Sequence, residues 1–177
     1  MKYSLFTVSA PEMSLEQVLE KLKENGYDGV DWRVTDIPTD PEILAEKPSY
    51  WRNNLCTVDI NKVEEQAEEI RAPTEKYGLE INALATYLDC SMDPAKIESC
   101  MIAAKKMGCS RIRVNALRYD KEKGYTQLFA EAVAGFRKVE ELAKKHGVKA
   151  DFEMHHGTIT AAASSARRLA SYFDPRY

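Results

Sequence analysis

The chain has 177 residues, of which 44% are hydrophobic and 30% charged, so it holds enough apolar side chains for one domain with its own core. The net charge of −3 excludes a strongly basic surface, and we expect no nucleic-acid or membrane partner. No apolar run approaches the roughly 20 residues of a membrane-spanning helix. The four cysteines lack CxxC spacing, which favours reduced thiols in a cytoplasmic protein over disulfides or a zinc site.

The first part of the chain predicts two strands, one helix and a long irregular segment. Tyr3–Val8 is rich in β-forming residues and predicts the first strand. Ser14 begins a helix, because a glutamine follows at capping-box spacing, and an Asn-Gly pair ends it before the second strand, Gly29–Val34. Thr35–Asp59 contains three prolines and no clear period. A connection of this length in a compact domain is usually functional or poorly ordered.

The rest of the chain continues the alternation of helices and strands. A helical pattern over Ile60–Tyr77 contains Pro73, which should kink or interrupt the helix because proline removes a backbone donor. Asp93 followed by proline marks the start of another helix, and Gly108 marks its end. The remaining predicted elements are the strands Leu79–Leu88, Arg111–Leu117 and Lys149–Met154 and the helices Thr126–His146 and Ala161–Tyr172.

The regular alternation of strands and helices predicts an α/β fold with a parallel sheet and right-handed crossovers. A doubly wound sheet and a (β/α) barrel both fit this order. No GxGxxG follows the first strand, so nothing supports a dinucleotide-binding unit. Polar residues at alternate positions favour a barrel with a polar lumen, because strands buried on both faces are usually continuously apolar. The alternative is that these charges lie in water at strand ends. The alternating residues are Asp31 and Arg33, Arg111, Arg113 and Asn115, and Asp151 and Glu153.

A carboxylate and two imidazoles cluster at the end of the fifth predicted strand. Glu153 is followed by His155, His156 and Gly157. This combination suits a divalent metal or a proton-transfer site. Strand periodicity places His155 on the same side as Glu153, and His156 faces away unless a turn at Gly157 redirects it. The alternative is that Glu153 is a surface acid at a strand end.

Several stretches resemble the xylose isomerase-like TIM barrels, the sugar phosphate isomerase/epimerase superfamily. They are GYDGVDWRV, KYGLEINAL, KKMGCSRIRV, KKHGVKADFEMHHGT and the terminal FDPRY. The resemblance covers the whole chain, residues 1–177, and implies a parallel (β/α) barrel domain. Predicted strand centres recur roughly every 36 residues, so eight units need about 290 residues. We therefore expect an N-terminal portion of a barrel, ending after about five βα units.

The resemblance also implies roles for individual residues. An acid ending the fifth strand is a metal ligand in this family and often the catalytic base, and here it is Glu153. The other ligands come from later strands, which this sequence does not contain. The implied cofactor is a divalent metal, Mn, Mg, Co or Zn. Residues at strand ends and aromatic residues are candidates for binding substrate, since barrel sites collect at the carboxyl ends of strands. These candidates are His155, Arg33, Tyr87, Asn115 and Trp51.

The resemblance implies a sugar, sugar-phosphate or polyol isomerase or epimerase that uses a divalent metal and Glu153 as base. The alternatives are an inosose-type dehydratase or lyase of the same superfamily and a non-catalytic carbohydrate-binding remnant. An endonuclease IV-like nuclease fits less well, because earlier strand ends lack histidines and the chain has no basic patch. The expected partner is a small carbohydrate. A partial barrel would leave open sheet edges, which predicts a homo-oligomer formed through them.

Overall fold

The computed structural model describes all 177 residues and consists of six strands and six α-helices. The strands are β1 (Ser4–Phe6), β2 (Gly29–Thr35), β3 (Val58–Asp59), β4 (Glu80–Thr86), β5 (Arg111–Arg113) and β6 (Lys149–Asp151). The helices are α1 (Leu15–Glu24), α2 (Pro41–Leu44), α3 (Ala67–Lys76), α4 (Pro94–Lys106), α5 (Gly124–His146) and α6 (Ala163–Ala170).

The strands form one parallel sheet, as the alternation of elements predicts. Its order is β1-β2-β4-β5-β6, and every neighbouring pair is parallel. The short strand β3 pairs with Val34 and Thr35 at the end of β2, on the edge opposite β4. β1 and β3 therefore share one edge of β2, with β1 along its first half and β3 along its last two residues.

Four of the five predicted strands are shorter in the structure, and the irregular segment contains a sixth strand, β3. Predicted strand Tyr3–Val8 stops at Phe6, because Thr7 begins a 3₁₀ turn. The buried Thr7 hydroxyl accepts the backbone N–H of Arg33 at 2.9 Å and donates to the carbonyl of Cys56 at 3.1 Å. These contacts fasten the segment before β3 to the end of β2. Three predicted strands are also trimmed, namely Leu79–Leu88 to β4, Arg111–Leu117 to β5 and Lys149–Met154 to β6.

Three predicted helices have different bounds in the structure, and the one predicted over Thr126–His146 begins two residues earlier, at Gly124. The helix predicted over Ile60–Tyr77 begins only at Ala67, and Pro73 lies inside it without ending it. The chain continues helically past Pro73 because the N–H of Tyr77 donates to the Pro73 carbonyl at 3.1 Å. The helix predicted over Ala161–Tyr172 is confined to α6. The capping box predicted at Ser14 is confirmed, with Ser14 and the glutamine three residues later exchanging hydrogen bonds.

One face of the sheet is apolar and packed under helices, whereas the other is polar. Val30, Trp32 and Val34 of β2 are 0% exposed, and so is Ile112 of β5. Trp32 lines a cavity together with residues of α1 and α3, so it lies between the sheet and these two helices. The alternation of side chains along each strand places the charged residues on the opposite face. None of the helices is both long and apolar enough to span a bilayer.

The two edges of the sheet differ. On the outer edge of β6, the N–H of Ala150 donates to the carbonyl of Tyr177 at 2.8 Å. The segment before Tyr177 is fixed to α5 by the buried Glu140, which accepts the N–H of Asp174 at 2.9 Å. That N–H, helped by Lys144 and Arg137, lowers the pKa of Glu140. No other strand of the chain pairs with the outer edge of β1. Self-association through this edge stays a prediction.

We expect Gly135→Ala in α5 to destabilise the fold, although alanine is the better helix former by about 1 kcal/mol. A Cβ atom at Gly135 would lie 2.3 Å from the carbonyl oxygen of Cys90 and must push the backbone after β4 away. The expected loss is about 1–3 kcal/mol of unfolding free energy, measured by urea titration. Glu141→Ala, an exposed position of the same helix, is the control and should change little. Equal or higher stability of Gly135→Ala would contradict the close contact.

We expect the four thiols to be inert in the folded protein at pH 8. All four cysteines are free and buried, and burial raises the pKa of Cys56, Cys90 and Cys100 to about 12 and also raises that of Cys109. The thiolate is the reactive species, so little of it exists at pH 8. The measurement is the rate of modification by a disulfide reagent with and without urea. A thiol that reacts in the native protein as fast as in urea would contradict this burial.

Candidate active site at the carboxyl ends of the strands

The polar face of the sheet forms an open groove of about 250 Å³. Asp31, Arg113, Asp151 and Glu153 line it, together with the ring of Phe6. The sequence predicts a common interior for Asp31, Arg33, Arg113 and Asp151. The structure brings three of them together in this groove, whereas Arg33 lies outside its lining. The polar alternation along β2, β5 and β6 therefore marks a real concave surface.

The base of the groove is held by hydrogen bonds between neighbouring strands. Asp31 accepts from the side-chain amide of Asn82 at 2.6 Å and from the hydroxyl of Ser4 at 2.7 Å. The register of β2 against β4 shifts at this point, between Val30 and Asp31. Further along the sheet, Arg111 Nε lies 3.1 Å from Asp151 Oδ2, and both side chains are nearly half exposed. Arg111 and Asp151 thus balance each other's charge, whereas the donors to Asp31 are neutral.

Arg113 and Glu153 form the central ion pair of the site. Arg113 Nη1 donates to Glu153 Oε2 at 2.8 Å, and Arg113 Nε donates to the carbonyl of Thr86 at 2.9 Å. The guanidinium also lies over the rings of Phe6 and Tyr87, at 5.1 and 4.9 Å from their centroids. The Arg113 side chain is 16% exposed, whereas Glu153 is 48% exposed. Glu153 is thus fixed through one oxygen while still open to a ligand.

Arg33 is the second cation of the site and is almost fully buried. Its Nη1 donates to Thr57 Oγ1 at 2.5 Å, and its guanidinium lies 5.3 Å from the centroid of Tyr87. The two arginines therefore flank the same aromatic ring. The sequence identifies Arg33 and Tyr87 as candidates, but it gives no signal for Thr57. The position of Arg113, in phase with Arg111 near a strand end, predicts that it faces the polar interior. The sequence analysis nevertheless does not include Arg113 among the catalytic or substrate-binding candidates.

The long segment before β3 supplies an aromatic wall. Trp51, which is 66% exposed, contacts Tyr50 edge-on at 4.6 Å and Tyr87 edge-on at 6.2 Å between ring centroids. The segment is anchored by the buried Asn54, whose side-chain amide donates to the carbonyl of Val8 at 3.2 Å. This anchoring places Trp51 next to Tyr87, the residue that follows β4.

His155 and Asn115 stand apart from the ion pair. β6 ends at Asp151, so strand periodicity no longer applies to His155, and the prediction that it lies on the Glu153 side lacks its basis. Its Nδ1 donates to the carbonyl of His156 at 2.6 Å, and the two exposed rings stack at 4.2 Å. The Asn115 backbone bonds to the loop after β4, while its half-buried side chain makes no hydrogen bond.

The residues of this chain do not by themselves form a metal site. No group of three or more His, Cys, Asp and Glu side chains lies close enough to hold an ion. Glu153, the ligand that the resemblance implies, has Arg113 as its neighbour rather than a second ligand. A catalytic site generally needs three protein ligands. The donor set of this chain therefore does not fit the divalent metal, and we assign it no step.

Comparison with known proteins identifies the family. A sequence model described as xylose isomerase-like TIM barrel matches residues 19–176. The chain belongs to this family. No curated protein matches the chain in sequence. The family match confirms the resemblance in the sequence and the prediction of a barrel-type parallel α/β fold.

Solved structures of the same fold cover nearly all of this chain. The probable 3-DHS dehydratase AsbF from Bacillus anthracis is 24% identical, with a TM-score of 0.71 over 99% of this chain and 61% of its own. The 3-keto-D-glucoside 4-epimerase YcjR from E. coli is 15% identical, with a TM-score of 0.64 over 89% of this chain and 59% of its own. The IOLI protein, solved with a zinc atom, is 16% identical, with a TM-score of 0.67 over 97% of this chain and 58% of its own. This chain thus spans less than two thirds of each relative.

We expect Arg113→Met to destabilise the protein more than Arg111→Met. Arg113 loses a carboxylate, a backbone carbonyl and two aromatic rings, whereas Arg111 loses one half-exposed ion pair. Exposed pairs contribute about 0–1 kcal/mol. A cost of about 1–2 kcal/mol is expected for Arg113→Met, because its partner Glu153 regains water. Urea titration of both variants measures the difference. An equal or larger loss for Arg111→Met would show that Arg113 does not organise the site.

Proposed function

We propose that this protein is an isomerase or epimerase acting on a sugar, sugar phosphate or related polyol, and that this chain carries part of its active site. The observation that supports the proposal most is the Glu153 carboxylate, held by Arg113 at 2.8 Å beside an aromatic wall. The carboxyl ends of strands are where barrel enzymes place their catalytic groups. Family membership and the epimerase among the solved structures of this fold support the same reaction class.

In the proposed reaction, Glu153 acts as a general base. Its carboxylate takes the proton from the carbon that carries a hydroxyl beside a carbonyl, and the C–H electron pair moves toward the carbonyl oxygen to form an enediolate. Returning the proton to the opposite face gives an epimer, and returning it to the adjacent carbon gives an isomer. Arg113 orients the carboxylate and leaves one oxygen free to receive the proton. The role of Glu153 as a metal ligand stays a prediction of the resemblance.

The proposed substrate contacts surround this carboxylate. Tyr87 and the exposed Trp51 offer aromatic surfaces for the C–H faces of a sugar. Arg33 and Asn115 offer donors at the ends of β2 and beyond β5. His155 is exposed, only two residues beyond Glu153, and would contact substrate after a rearrangement of its loop. These assignments are proposals for each residue separately.

A dehydratase is the second candidate, because AsbF, a probable dehydratase, shares the fold over 99% of this chain. Dehydration begins with the same proton abstraction beside a carbonyl. It then expels a hydroxyl from the next carbon as water, leaving a carbon–carbon double bond. The two candidates therefore differ in the product and not in the base. Ultraviolet absorbance of a conjugated ketone would identify dehydration, whereas an epimer or isomer adds none.

We expect Glu153→Gln to abolish proton abstraction without unfolding the protein. The amide nearly matches the carboxylate in shape but does not act as a base, and general base catalysis contributes about 100-fold or more. The measurement is exchange of substrate C–H for deuterium in D₂O, followed by NMR with D-fructose, D-tagatose and D-psicose as probes. Glu141→Gln, an exposed acid without an ion pair, is the matched control.

The two variants and the unmodified protein separate the possibilities. Exchange that survives in Glu153→Gln removes this residue from the mechanism. Unmodified protein that binds these ketoses without exchange would support a non-catalytic carbohydrate-binding protein. The circular dichroism spectrum of each variant shows whether the fold is intact.

A further inference from the structure

The guanidinium of Arg33 is a buried charge with incomplete pairing. Arg33 is 7% exposed and donates one side-chain hydrogen bond, from Nη1 to the neutral hydroxyl of Thr57 at 2.5 Å. Its Nε is enclosed and has no partner. No carboxylate lies within ion-pair distance, in contrast to Arg113, which is paired with Glu153. Arginine carries five N–H donors, so most of its capacity is unused.

Leaving this charge unpaired is energetically costly. Burying an ion without an opposite charge costs several kcal/mol, even after relaxation. The nearby ring of Tyr87 offsets part of this, since a cation over an aromatic ring gains about 0.5–2 kcal/mol. The acids close in sequence are committed elsewhere. Asp31 accepts from Ser4 and Asn82, and Asp36 accepts from Asn61.

Arg33 brings a second cation to the ring of Tyr87. Arg33 and Arg113 lie 5.3 and 4.9 Å from the centroid of Tyr87, and Glu153 pairs with Arg113 but not with Arg33. Of the two cations beside this ring, Arg33 is therefore the one that no carboxylate of the chain pairs with. The Nη2 atom of Arg33 makes no hydrogen bond, so it is a donor left over for a ligand.

We propose that Arg33 binds an anionic group of the substrate, the carboxylate of a sugar acid or the phosphate of a sugar phosphate. The planar fork of arginine matches both groups and binds them more strongly than a neutral hydroxyl. The bound anion would provide the negative charge that no carboxylate of the chain provides to Arg33. Glu153 does not repel it, because Arg113 neutralises that carboxylate. This inference rests on the proposed function and narrows its substrates to anionic sugars.

The test compares three probes that differ only at C6, namely D-glucose, D-glucuronate and D-glucose 6-phosphate. Calorimetric titration of the unmodified protein should show at least one anion binding about 10-fold or more tightly than glucose. The tighter anion identifies the source of the charge. Equal affinities, or no binding of any probe at millimolar concentration, would overturn the proposal without reference to any variant.

Variants assign the preference to one residue. Arg33→Met should reduce the preference for the anion to near unity, while Arg33→Lys should retain part of it because the charge remains. Arg167→Met, an exposed arginine of α6 without an ion pair, is the control and should leave the preference unchanged. A full preference in Arg33→Met, with the native circular dichroism spectrum, would assign the anion site elsewhere.

The outcome is independent of turnover. An anion preference that depends on Arg33, without deuterium exchange on either the neutral ketoses or their 6-phosphates, would refute the isomerase proposal and leave the anion site standing. Exchange on neutral ketoses without any anion preference would refute the anion site alone.

Discussion

The structure depends on a parallel sheet that is covered by helices on one face only. Such a sheet cannot have continuously apolar strands, because the uncovered face meets water and ligands. β2 shows the constraint most clearly, with Trp32 fully buried under α1 and α3 while Asp31 faces the groove. The same alternation in β5 places Ile112 in the core and Arg113 in the site. The core and the candidate site are therefore two consequences of one pattern.

Charge balance distinguishes this site from an ordinary polar surface. Glu153 and Arg113 neutralise one another, while Arg33 is buried against a hydroxyl and a ring. A surface chosen only for solubility would leave arginines in water, where their charge costs nothing. A buried guanidinium with unused N–H donors is instead destabilised until an anion pairs with it. This incomplete pairing is the observation on which the proposed anion-binding role of Arg33 rests.

The segment 35–59 shows how an irregular connection can be a built part of a site. The segment leaves the sheet after β2 and then forms β3, which pairs with the edge of β2 that does not face β4. A path of this kind accommodates prolines and shows no regular period. Buried hydrogen bonds hold the end of this segment against the sheet. Thr7, just after β1, bonds to Cys56 of the segment and to Arg33 of β2, and Asn54 of the segment bonds to Val8. The result is a fixed Trp51 beside Tyr87, which the pattern of residues along the segment does not reveal.

The sequence determined the order of five strands and of the helices that follow β1, β4, β5 and β6, together with the polar face of the sheet and the position of Glu153 just past a strand end, because these follow from side-chain period and from local caps. Only the tertiary structure decided that Glu153 pairs with Arg113, 40 residues away, and that Arg33 meets Thr57 instead of an acid. It also decided that β6 stops before His155 and that a sixth strand lies in the irregular segment. Local preferences act over a few residues, whereas these outcomes depend on strand order and on hydrogen bonds such as those of Thr7 that end one strand and fasten another.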